Sequence, residues 1–184
     1  MNAKDAAKQI IFRFEEVGLP ITNIVLQKLL YYSKGWSLGL VGEPCFKNAI
    51  HAWEWGPVVP TVYNVYEQYG KHAIEIPEEG EIQDNVLLDA IVRVYGQMKP
   101  FDLSDQTHEE DPWRTNYIVG NKAASKIPES ELREFFAGPA RDWEIHLHFL
   151  DVYGDLRLGV RYRKTSRPIS PEYQKEIIDS LVAV

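Results

Sequence analysis

The residues best placed to do chemistry run from Thr107 to Trp113, where His108 is followed directly by the carboxylates of Glu109, Glu110 and Asp111. An imidazole beside carboxylates could support general acid–base catalysis, as in a hydrolase or a nucleotide-modifying enzyme, if an acid and a base converged on one point. Adjacent carboxylates on a helix or turn splay apart instead. The expected role of His108 is therefore a hydrogen-bonding bracket between segments, with Asp111-Pro112 turning the chain and Trp113 anchoring it in the core. A metal ion would have to recruit His51, His108 and Glu109, or the pair His146 and His148, which share a face if they lie on a strand. Such a site also needs a third and fourth ligand beyond that pair, and no Cys or His is spaced to supply one. Cys45, the single cysteine, lies between Pro44 and Phe46 without a cationic neighbour to activate it and reads as a small core residue. Gly35 and Gly39 fall inside a helical pattern rather than after a strand, which does not make a phosphate loop. No catalytic residue, metal or cofactor is expected.

These residues must be positioned by a mainly helical scaffold. Leu26, Leu29, Leu30, Ser33, Trp36 and Leu40 recur at three- and four-residue spacing and mark a central helix. Before it, Ala6, Ile10, Ile11, Phe14 and Val17 form a second stripe, which Gly18 ends, and Thr22 stands where its hydroxyl could cap the central helix. Two helices joined by a short turn invite a DNA-binding reading. The polar positions of the second helix are mostly Gln27, Lys28 and Lys34, too few for a recognition surface, so a packed helical hairpin is preferred and a DNA-binding regulator is the alternative. Phe46 to Trp55 reads as one or two short strands. Gly56-Pro57 then turns the chain, and a helix starts near Pro60. Further helical patterns span residues 84–98, 103–108 and 128–137.

The tail changes period. Trp143, Ile145, Leu147 and Phe149 alternate with polar residues, as do Leu156, Leu158, Val160 and Tyr162, with Gly154-Asp155 between. This predicts a β-hairpin whose solvated face sets Arg157, Arg161 and Arg163 near Glu144 and two histidines. Ser170-Pro171-Glu172 predicts the start of a terminal helix. The fold class expected is α+β, mainly α-helical: a compact helical domain over residues 1–140 with a short strand element, and a hairpin and helix over 141–184 packed on it.

Forty-five per cent hydrophobic residues and 26 per cent charged ones are ordinary for a globular chain, and no apolar run is long enough to cross a bilayer. The N-terminal stretch is amphipathic and lacks the apolar core of a secretory signal, so a cytoplasmic protein is expected. A net charge of -7 argues against general nucleic-acid binding and suits a basic partner. Aromatic residues make strong interface anchors. Trp53 and Trp55, pointing the same way along an extended segment, are candidates for partner contact, together with Arg157, Arg161 and Arg163.

Three blocks of sequence carry a resemblance. Leu26-Gln27-Lys28-Leu29-Leu30-Tyr31-Tyr32 with Trp36, then Trp53-Glu54-Trp55-Gly56-Pro57-Val58-Val59-Pro60-Thr61-Val62-Tyr63, then Leu103 to Trp113, together resemble the Panacea domain, the SocA-like antitoxin family often found in prophages. The likeness spans roughly residues 5–137, in the family's order. It implies a non-enzymatic antitoxin of a toxin–antitoxin system, whose partner is a cognate toxin protein. Neutralisation would proceed by direct blocking of the toxin or by its delivery to a Clp-type protease.

Overall fold

The computed structural model describes residues 1–77 and 80–159. Its organising element is α2 (Asn23–Val41). From Asn23 to Leu38 every residue of that helix except Ile24 is buried, so α2 is enclosed on all sides rather than amphipathic. Around it lie α1 (Ala3–Glu16), α3 (Pro60–Tyr66), α4 (Val86–Val94), α5 (Pro100–Glu109), α6 (Asp111–Arg114), α7 (Glu129–Ala137) and α8 (Glu144–Arg157). A small antiparallel sheet, in the order β2-β1-β3, combines β1 (Ile50–Trp53), β2 (Gly56–Val58) and β3 (Lys126–Ile127). The α+β, mainly helical class expected from the sequence is the one found.

Local chemistry explains the boundaries. Asn2 and Asp5 form a reciprocal capping box at the start of α1. Gly18, with φ 71°, lets the chain reverse before α2. Thr22 takes the N-cap position of α2 as expected, but its hydroxyl makes no cap bond; its oxygen is buried without a hydrogen-bond partner among the described residues, while its backbone bridges to Ala73. α7 lies directly on α2, because Gly35 and Gly39 leave no side chain in the way. A Cβ on Gly35 would overlap the Phe136 ring, and one on Gly39 would come within 2.6 Å of the Phe136 backbone.

The tail departs from the sequence reading. Residues 144–157 form α8, not the first arm of a hairpin, and Gly154-Asp155 lies within that helix rather than at a turn. The buried positions are His146, Phe149 and Val152, at three-residue spacing, whereas Leu147 is half exposed. A polar residue thus takes a core position and an apolar one faces water, which disguises the helical period as alternation. Glu144 and Arg157 sit at opposite ends of α8, about 20 Å apart, and cannot pair as a hairpin would allow. The rest of the expected second arm, with Arg161 and Arg163, and the expected terminal helix lie outside the described residues.

Candidate functional site

Glu110 joins α5 to α6 and is completely buried. Tyr31 and Tyr32, adjacent on α2, each donate a hydroxyl hydrogen bond to its carboxylate, at 2.6 and 2.8 Å. His146 of α8 approaches from the other side, with Nε2 3.2 Å from Glu110 Oε1 but off the line of a hydrogen bond. The network continues through His146 Nδ1, 2.7 Å from the Tyr95 hydroxyl, which accepts a 2.7 Å bond from Trp36 Nε1. The Tyr95 hydroxyl and His146 Nδ1 share one hydrogen bond, while Nε2 faces the Glu110 carboxylate without a hydrogen-bond partner among the described residues. Burial pushes the Tyr31, Tyr32 and Tyr95 hydroxyls well above their usual range, and Glu110 pushes each further, so all three remain donors. The network ties α2 and α8 to the junction of α5 with α6 and to Tyr95, the residue that follows α4. Glu110 and His146 are both 0% exposed, which leaves no open face where a substrate could meet an acid–base pair.

The second constellation reaches the surface. Trp53 pairs with Gly56 across the β1–β2 turn, so Glu54 and Trp55 form its tip. The two tryptophans therefore do not share one face of a continuous strand. Trp53 is half-buried, in edge contact with Tyr63 and under the Lys122 ammonium, while Trp55 is 65% exposed. The turn is held from two sides. Trp113 Nε1 donates to the Trp53 carbonyl at 2.8 Å, and the buried Lys28 of α2 donates to the Trp55 carbonyl. Next door, Gln27 accepts the Val59 amide at 2.9 Å, fixing the exit from β2. Burial brings the Lys28 amine down to about 7.

His108 belongs to this second group, not to a catalytic one. Its ring stacks on Trp113 at 4.1 Å, and Trp113 stacks on Tyr117 at 4.8 Å. The expected hydrogen-bonding bracket is replaced by ring stacking: His108 Nε2 is buried without a hydrogen-bond partner among the described residues. Burial, followed by the nearby Lys28 charge, lowers its pKa, with Asp105 opposing. The three carboxylates after it diverge as anticipated, Glu109 and Asp111 outward and Glu110 inward. His146 and His148 lie two residues apart on a helix, one buried and one exposed, so the shared strand face does not exist. Cys45 is partly buried, and burial lifts its thiol to about 11. Gln27, Lys28 and Lys34 are all buried, which keeps the helix after Thr22 from presenting them to a DNA groove. Arg157 is exposed on the last turn of α8, 6.0 Å over the Tyr153 ring. Sequence reasoning passed over Glu110, although two adjacent tyrosines on a buried helix signal that an acceptor must be found for them.

A buried helix directs its polar side chains to a surface turn and to a closed interior network, and the chain belongs to the SocA-like antitoxin family. The family described as Antitoxin SocA-like, Panacea domain, matches residues 26–114, which include α2 from Leu26 onward, the β1–β2 turn and Glu110. The chain is also 34% identical over 158 residues to Antitoxin SocA of Caulobacter vibrioides (strain NA1000 / CB15N), a match covering 72% of this chain and 83% of that relative. No solved structure matches it. Among the described residues no helix is long and apolar enough to cross a membrane.

Proposed function

We propose that this protein is the non-enzymatic antitoxin of a prophage-type toxin–antitoxin pair, acting in the cytoplasm by binding its cognate toxin stoichiometrically. The observation that carries this reading is the β1–β2 turn. The family-matching segment supplies Trp55 at the tip and also Lys28 and Trp113, which hold the backbone beneath it. A large indole left in water on a firmly held turn suits an interface anchor, since it buries much area at little conformational cost. Trp53 stands at the base of the same turn, and Arg157, with Arg161 and Arg163 beyond it in sequence, supplies a basic contact on an otherwise acidic chain.

The test is expression of the product of the neighbouring gene, alone and with this chain, followed by a purified toxin assay without protease. The expected result is a neighbour that arrests growth alone, and a purified one-to-one complex in which it is inactive. A harmless neighbour would remove the main support for the reading. Inhibition that appears only when a Clp-type protease is added would replace direct blocking with delivery for degradation.

A further inference from the structure

Trp55 is exposed, but the backbone under it is fastened from inside the protein. Lys28, 1% exposed, directs its amine from α2 to the Trp55 carbonyl. Gly56 follows with φ 100°, and a Cβ there would collide with the Lys28 amine and come within 3.0 Å of Thr107 Oγ1. The amine therefore fills the space beneath the turn that a side chain would otherwise occupy. Lys34, two turns along α2 and equally buried, is placed differently: its amine lies 2.6 Å from Glu129 Oε1 and donates to the Asn48 carbonyl at 2.8 Å. Lys28 makes no ion pair with a carboxylate among the described residues, and burial is what acts on its charge.

The groups facing Lys28 are few. The turn offers the Trp55 carbonyl; α5 offers Thr107 and His108, with Asp105 acting on the latter. On α2 itself, Tyr31 and Tyr32 stand one turn along and are committed to Glu110. We propose that Lys28 is a positioning residue for the partner face: its protonated amine holds the Trp55 turn in docking shape, and the turn slackens when the proton leaves. This rests on the reading of the turn as toxin contact.

The physical basis is the strength of the tether. An ammonium–carbonyl bond is about twice as strong as its neutral counterpart. A buried amine that lacks a carboxylate gives up its proton far more readily than one in water. With the Lys28 amine near 7, the change falls in the neutral range. The Trp113 bond to the Trp53 carbonyl remains on both sides of it, so the turn loosens at one end and is not released.

The experiment uses the full chain labelled with 5-fluorotryptophan and followed by fluorine NMR, the Trp55 signal being identified by its loss in Trp55→Phe. The Trp55 signal is expected to titrate with a midpoint near neutral pH, to keep that midpoint in His108→Gln, and to lose it in Lys28→Met. Affinity for the purified product of the neighbouring gene should fall about fivefold between pH 6 and pH 8.5 in the wild type and stay flat in Lys28→Met. A Trp55 signal that ignores pH, or a midpoint abolished by His108→Gln, overturns the proposal. If Lys28→Met does not fold, the wild-type and His108→Gln titrations still decide the matter. A neighbour that fails to bind at every pH overturns the toxin-contact reading and the docking half of the proposal. A bound neighbour with no Trp55 titration overturns the role of Lys28 alone.

Discussion

Glu110 and Lys28 are both cut off from water, at 0% and 1% exposure, and both act through α2, but their partners differ in kind. Glu110 is met by side chains from the interior, Tyr31, Tyr32 and His146, and the network they begin ends at Trp36 without leaving the core. Lys28 is met by the backbone of a turn whose other side is solvent. A closed interior network ties α2 and α8 to the α5–α6 junction, and a disturbance there is felt as lost stability. A tether to a surface turn passes its state outward. Buried polar groups on one helix thus separate into those that hold the fold and one that shapes its surface.

That contrast can be broken experimentally. Glu110→Ala should have the largest effect, lowering stability to urea by about 3–5 kcal/mol, because it strands two tyrosine hydroxyls and an imidazole in the core. The next effect depends on pH. Lys28 holds its proton up to 10.5 in the unfolded chain but only to about 7 in the folded one, so the unfolded state binds the extra proton between these values. The cost of Lys28 to stability is complete below pH 7 and gone above pH 10.5. Wild-type stability should therefore gain on that of Lys28→Met by about 1.4 kcal/mol per pH unit from pH 8 to pH 10. Tyr95→Phe, which deprives Trp36 and His146 of a shared partner, should cost about 1–3 kcal/mol in the same urea assay. Trp55→Ala should change stability by no more than about 0.5 kcal/mol while weakening toxin binding thirtyfold or more, as measured by calorimetry. A large stability loss from Trp55→Ala would erase the distinction between the two regions.

Much of this architecture was legible because its signals are local. The three- and four-residue spacing from Leu26 to Leu40 and the Gly18 reversal each follow from the residues involved, and the structure bears them out. The turn expected at Gly56-Pro57 falls instead at Glu54-Trp55, because Gly56 and Pro57 pair with β1 as the start of β2. What could not be read were the long-range partners of polar residues. Nothing near Lys28 or Lys34 in sequence says that they are buried, because the Trp55 and Asn48 carbonyls that receive them arrive from other elements. His146 misled for the same reason. Only Glu110 and Tyr95, each more than thirty residues away, make an imidazole tolerable at a core position of α8, and without them the stretch reads as a strand. His108 drew attention as the reactive type of residue, but stacking on Trp113 uses its ring rather than its nitrogen chemistry.

The bare backbone at Gly35 and Gly39 has a consequence for anyone wishing to move this surface elsewhere. Because Phe136 is seated where those two side chains would be, the α2 that carries Lys28 is spaced from α7 by the thickness of the main chain. A graft of the tryptophan turn onto a host helix bearing alanine at the equivalent positions would inherit the anchor but the wrong separation. The transplantable unit is therefore the turn, α2 with its two glycines, and the phenylalanine that fills them.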